Sequence, residues 1–117
     1  MNTLIIINDS PYGTEKAYNA LRLAMTLQKE HHEVRLRVFL LADGVVCSAS
    51  GQVTPNGYYN LERMLRAVIT RGAEVSFCGS CADARGLKQE NLVDGADRGT
   101  MSQLALWTAE ADKVVVF

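Results

Sequence analysis

Short apolar runs alternate along this chain with segments whose apolar residues recur at helical spacing. LIIIN, residues 4–8, is a β-branched run stopped by the turn-forming DSPYG, the pattern of a strand buried on both faces. From Thr14 to about Glu30 the positions Ala17, Leu21, Ala24, Met25 and Leu27 fall near one helical face, with Glu15 in the first turn to suit the helix dipole. Val34, Leu36 and Val38 then alternate with Arg35 and Arg37, predicting a second strand, half exposed at its start, that ends at Asp43-Gly44. The glycines, serines and Asn56-Gly57 of residues 45–58 predict a long loop with room for one helical turn. Leu61, Met64, Leu65, Val68 and Ile69 mark a second helix, closed by Arg71-Gly72 as a basic last turn and a glycine cap. AEVSFC, residues 73–78, reads as a third strand, and ENLVDGAD, residues 90–97, as a short fourth strand or a turn. Thr100 with Gln103 makes a capping-box pattern for a helix through Trp107, and KVVVF, residues 113–117, closes the sheet.

Strands alternating with helices predict an α/β fold with a mainly parallel sheet, because parallel neighbours need a crossover and the crossovers here are helical. Ligands gather beyond the C-terminal ends of strands in such sheets. The loops DSPYG, ADGVVCSASG and CGSCADARG all leave strand ends and share that edge, whereas His31 and His32 end a helix at the opposite one.

The 117 residues, 48% hydrophobic and 21% charged, fit one domain over residues 1–117. Twelve basic against thirteen acidic residues leave a net charge of −1, which gives the chain no electrostatic reason to seek nucleic acid or an anionic membrane. No basic leader precedes the first apolar run and no stretch approaches the roughly 20 residues of a membrane span, so the expected compartment is the cytoplasm. Three cysteines, Cys47, Cys78 and Cys81, are an odd number in a chain that needs no staples, and are expected to be reduced.

Cys78 and Cys81 form a CxxC at the end of the third predicted strand, and four readings compete for it. A structural zinc needs about four ligands, of which the pair supplies two, so no metal is expected. A dithiol redox pair fits the spacing, but ADARG after Cys81 is too short and glycine-broken for a long helix. Core packing is the bland reading, since free cysteine is commonly buried. The fourth is a sulfur carrier, in which the Cys78 thiolate holds sulfane sulfur as a persulfide and passes it to another thiolate. Cys81 is then auxiliary: it protects Cys78, attacks its persulfide to release sulfide, or stays idle. Arg85, and less directly Lys88 and Arg98, are candidates to stabilise the anion; the plain alternative is a solvated charge.

The loop with Pro11, Tyr12, Gly13 and Thr14 precedes a helix N-terminus, a place where backbone N–H groups can hold a phosphate. It carries one glycine and one threonine, with no Walker lysine and no GxGxxG, so a Ser-Pro turn with Thr14 as a cap explains it more simply. Asp43 is a candidate to orient the top-edge loops, and as a turn residue before glycine it needs no catalytic role. Tyr58, Tyr59 and Trp107 are aromatic enough for a flavin pocket, yet at helical spacing they fit core or subunit interface better.

The chain resembles the DsrE/DsrF-like family, and within it the small YchN-like branch. The likeness runs through an apolar first strand followed by PYG, the helix NALRLA, LRVFLLADGV, GQ with GYYN, the CxxCxDxRG segment, LVDGADRGT and LALWTAEADKVVVF. It implies a three-layer αβα sandwich with about five strands and assembly into homohexamers. In sulfur-relay relatives such as the TusBCD and DsrEFH complexes, the sulfur-handling subunit uses a cysteine at the position matched here by Cys78. The resemblance therefore implies persulfide transfer on Cys78 between thiol-bearing donor and acceptor proteins, without a bound cofactor. Two alternatives stay open: a non-catalytic oligomeric module binding a small anion or nucleotide at the C-terminal edge of the sheet, and a CxxC thiol redox protein.

Overall fold

The computed structural model describes residues 1–117, with Gly57 described only by its place in a 3₁₀ turn. In chain order it contains β1 (Asn2–Ile7), α1 (Lys16–Glu30), β2 (Arg35–Leu40), a 3₁₀ segment (Ala42–Ser48), a 3₁₀ turn (Pro55–Gly57), α2 (Leu61–Thr70), β3 (Glu74–Cys78), α3 (Gly79–Ala84), a 3₁₀ turn (Gln89–Asn91), β4 (Ala96–Gly99), α4 (Met101–Glu110) and β5 (Lys113–Val116). The five strands form one sheet in the order β4-β3-β2-β1-β5, and every neighbouring pair is parallel. The expected α/β fold is therefore observed, with a sheet that is wholly rather than mainly parallel. No described helix is long and apolar enough to cross a membrane.

The two faces of the sheet are read most clearly on β2. Phe39 meets Trp107 of α4 edge to face at 6.1 Å, and Arg37 lies 5.1 Å from the same indole ring while pairing with Glu110 at 2.8 Å and Glu74 at 3.3 Å. Strand residues alternate between faces, so Leu36, Val38 and Leu40 point the other way, toward the side where α1 packs on α2. Arg37 is an ion buried in a sheet, and its two carboxylates with the indole face supply the partners such a charge requires. The core is filled from both sides by Leu4, Ile5, Ile7, Val38, Phe39, Leu40, Val75 and Phe77 under Leu21, Leu61, Leu65 and Val68.

Three local expectations change. Helix α1 begins at Lys16, so Glu15 is its cap rather than a first-turn acid; the Thr14 hydroxyl accepts from Lys16 N–H at 3.2 Å and donates to Asp9 at 2.7 Å, closing a turn ahead of the helix. The fourth strand lies later than ENLVDGAD suggests, at Ala96–Gly99, because residues 89–95 form a 3₁₀ turn and a turn with Gly95 at φ 93°. The long loop is more ordered than its composition implies. Its backbone N–H groups at Gly51 and Gln52 donate to Glu62, Asn60 donates to the Gln52 carbonyl and also caps α2, and Gln52 donates to the carbonyls of Cys47 and Ala49. The helix opening on Thr100 stands as expected, its hydroxyl accepting from Gln103 N–H at 3.2 Å, and α2 stops where expected with Gly72 at φ 103°, although Arg71 is its C-cap rather than part of a basic last turn.

Candidate functional site

Cys78 is the last residue of β3 and the cap of α3, so the strand carries its side chain to the C-terminal edge of the sheet. Its sulfur accepts from Cys81 N–H at 3.3 Å and lies 3.3 Å from the Ser80 hydroxyl. Burial works against the thiolate, since Cys78 is only 8% exposed, but hydrogen bonds from Cys81 and Ser80 outweigh it and hold the Cys78 pKa below the ordinary thiol value. The neighbouring thiol moves the other way. Burial and the hydrogen bond it gives to Cys78 raise the Cys81 pKa, against the opposing pull of Ala42 N–H and the Arg85 charge. The two thiols are thus shifted in opposite directions, Cys78 toward the anion and Cys81 away from it.

The arginines divide between the two cysteines. Arg85 donates to the Cys81 carbonyl at 3.0 Å and to Asp43 at 2.6 and 3.0 Å, which ties the end of α3 to the 3₁₀ segment after β2. Arg98 sits on β4, where the register sets it beside Phe77, and it forks onto Asp83 at 2.7 and 3.0 Å. Its guanidinium passes over Gly79, so close that a Cβ there would come within 2.6 Å of its Nε. The hydrogen bond to Asp83 raises the Arg98 pKa first, and the Cys78 charge adds to it. Arg98 is therefore the arginine electrostatically linked to Cys78, while Arg85 braces Cys81. Ser80 and Ala42 were not singled out from sequence. The Ser80 hydroxyl, two residues past Cys78 inside the CxxC, carried a readable signal; Ala42, at φ 52°, carried none, because nothing about an alanine announces a left-handed backbone.

The Ser80 contact is testable. Ser80→Ala removes one donor to the Cys78 sulfur, so the Cys78 pKa is expected to rise and alkylation at neutral pH to slow; an unchanged pH profile of iodoacetamide labelling would show the hydroxyl to be idle.

The remaining sequence candidates lie apart from this pair. Tyr12, at φ 72°, donates to Gln52 and accepts from Leu61 N–H at 3.2 Å, bracing the start of α2, and its ring meets that of Tyr59 at 5.8 Å. Thr14 is engaged with Asp9, and Gly13 has open space at its Cβ position beyond Ser10. No hydrogen bond or ion pair among the described residues joins Pro11, Tyr12, Gly13 or Thr14 to residues 78–85. Cys47 is fully buried, its thiol pushed up to about 12 chiefly by burial, and donates to the Asp9 carbonyl at 3.7 Å. His31 and His32 lie at the opposite edge, where His31 caps the end of α1.

The chain is a small α/β protein with an all-parallel five-stranded sheet that carries a CxxC pair at its C-terminal edge. It belongs to the DsrE/DsrF-like family, whose model matches residues 1–117. Escherichia coli YchN is 40% identical over 114 residues, 97% of each chain, and its crystal structure superimposes with a TM-score of 0.89 at full coverage of both. MJ0989 of Methanocaldococcus jannaschii is 43% identical over the whole length of both chains. A more distant relative, the sulfurtransferase TusD homolog of Vibrio vulnificus, is 29% identical over 135 aligned positions and all of both chains.

Proposed function

We propose that this protein is a sulfur-relay carrier, a sulfurtransferase working through a persulfide. The Cys78 thiolate attacks the outer sulfur of a donor persulfide; that sulfur's bond to the donor breaks, the donor leaves as a thiolate, and Cys78 becomes Cys78–S–SH. An acceptor thiolate then takes the outer sulfur and returns Cys78 to a thiolate, so no external oxidant or cofactor is consumed. The observation that carries this reading is the split pair: Cys78 is held toward the anion by Cys81 and Ser80 at the end of a rigid strand. The TusD homologs support sulfur transfer as the class of chemistry. The same reading places the protein in the cytoplasm, where thiols stay reduced, with thiol-bearing donor and acceptor proteins as partners.

Mass spectrometry of the unreduced protein before and after a persulfide donor tests it. An added sulfur on the peptide holding Cys78, delivered to a second thiol protein, is the expected result. A chain that only forms a Cys78–Cys81 disulfide and takes up no sulfur would favour the redox reading. The anion or nucleotide module is the weaker alternative, because Tyr12, Thr14 and Asp43 already spend their polar groups on partners within the chain.

We also infer self-association, with the homohexamer as the expected form. β5 is an edge strand, and its Val114 and Val116 are 41% and 61% exposed, while Leu106 of α4 is 56% and Val53 of the long loop 94% exposed. Light scattering on wild type and Val116→Asp checks this. The variant is expected to fall to a smaller species, and a wild type that runs as a single chain would end the inference.

A further inference from the structure

Cys81 does more than its spacing from Cys78 requires. It is partly exposed where Cys78 is buried, and it stands one helical turn on, with its own N–H 3.3 Å from the Cys78 sulfur and only Gly79 and Ser80 between them. Its surroundings are built at some cost. Ala42 takes a left-handed backbone at φ 52°, a conformation that costs a residue with a Cβ about 1–2 kcal/mol, and its N–H is one of the groups that draw the Cys81 pKa down. Arg85 is fixed beside the same residue from two sides, by Asp43 and by the Cys81 carbonyl. Both groups favour a thiolate on Cys81, and what opposes them in the resting protein is burial together with the hydrogen bond that Cys81 gives to the Cys78 sulfur.

We propose that Cys81 is the resolving thiol of the carrier, which discharges a persulfide left undelivered on Cys78. This rests on the carrier reading of Cys78. Once Cys78 holds sulfane sulfur, the negative charge moves to the outer sulfur and the inner one no longer attracts the Cys81 proton, while Ala42 and Arg85 stay in place. The outer sulfur takes the Cys81 proton and the Cys81 thiolate attacks the inner sulfur; a Cys81–Cys78 disulfide bond forms, the Cys78–sulfane bond breaks, and the protonated sulfane sulfur leaves as hydrosulfide with the electron pair of that bond. The sulfane sulfur is reduced to sulfide and the two cysteines are oxidised, so the step balances without a further reagent. A dithiol reductant, reaching the partly exposed Cys81, returns both thiols by exchange. Loading thus has two exits: delivery to an acceptor, which keeps the pair reduced, and release as sulfide, which takes the chain out of service until it is reduced.

The test is to load wild type, Cys81→Ser and Cys81→Ala with glutathione persulfide, remove the excess, and follow trapped sulfide and unreduced mass with no acceptor protein present. Wild type is expected to release sulfide in step with loss of the added sulfur and appearance of the Cys78–Cys81 disulfide. Both variants are expected to keep the added sulfur on Cys78 at least about a hundredfold longer, since an attack between neighbouring groups gains orders of magnitude over one from solution. Equal persulfide lifetimes in wild type and variants, or sulfide release without the disulfide, would overturn the proposal. Variants that never gain sulfur, with their discharge route removed, would overturn the carrier reading itself and the resolving role with it.

Discussion

Exchanging Cys78 for serine is expected to leave the fold intact and to remove sulfur loading altogether. The change is nearly isosteric, and the new hydroxyl can still accept from Cys81 N–H at the cap position, so thermal stability should change by no more than about 1 kcal/mol. Chemistry is another matter. A hydroxyl is not ionised near neutral pH and does not take sulfane sulfur, and neither remaining thiol replaces it. Cys47 is fully buried with its pKa pushed up to about 12, and Cys81 keeps its proton because its burial is unchanged and the serine hydroxyl, unlike the inner sulfur of a persulfide, can still accept from its thiol. Peptide mass spectrometry after treatment with a persulfide donor should therefore find added sulfur on no cysteine of the variant. Wild-type loading as a function of pH supplies the companion result. The reactive form is the anion, so the rate rises with pH and levels off above the Cys78 pKa. Because that pKa is depressed, the plateau should arrive at lower pH than for a free cysteine, whose pKa is about 8.5. Loading that survives in Cys78→Ser, or a profile matching free cysteine, would remove Cys78 from the centre of the mechanism.

Gly44→Ala should produce the largest loss of stability of any single methyl added to this chain's glycines. Gly44 follows β2 and passes against the end of β1, so that a Cβ would stand 2.0 Å from the Ile7 carbonyl oxygen and 2.7 Å from its carbon. Both are backbone atoms of a central strand, and that oxygen also accepts from Leu41 N–H at 2.9 Å, so it has little freedom to yield. Overpacking of a core costs about 1–3 kcal/mol and more where the neighbour cannot shift, so a loss of about 3 kcal/mol or more is expected, a fall in Tm on the order of 10 °C. The injury should reach the site as well. Ala42 and Asp43 precede Gly44 in the same 3₁₀ segment, so displacing it pulls both away from Cys81 and Arg85. Gly51→Ala is the control: its φ of 89° is unfavourable for alanine, but nothing lies within 4 Å, so only the conformational cost of about 1–2 kcal/mol applies. If calorimetry finds Gly44→Ala no worse than Gly51→Ala, the close approach to β1 is wrong.

Arg98 and Gly79 illustrate what a linear reading leaves hidden. A glycine between two cysteines is easily taken as loop flexibility, yet it is needed because an arginine nineteen places downstream lies over it. That arginine arrives through the parallel pairing of β3 with β4, which aligns Phe77 with Arg98 and Cys78 with Gly99. Arg85 was visible as a nearby charge, but its fork onto Asp43 spans 42 positions and decides that it braces Cys81. The loop of residues 45–58 looked unstructured because glycine, serine and asparagine favour turns locally; Glu62, Asn60 and Gln52 order it by hydrogen bonds that no short window contains.

By itself the sequence determined the α/β alternation, the ends of α2 and the start of α4, the strand that delivers Cys78 to the C-terminal edge, and the separation of that edge from the histidines. These follow from periodicity, caps and turn residues, whose energetics act over a few neighbouring positions. Only the tertiary structure decided that Arg98 lies over Gly79 while Arg85 holds the Cys81 carbonyl, that Cys78 and Cys81 are shifted apart in acidity, and that Cys47 is fully buried. Those outcomes depend on burial, strand register and charges at close range between distant segments, and such interactions exist only once the chain has folded.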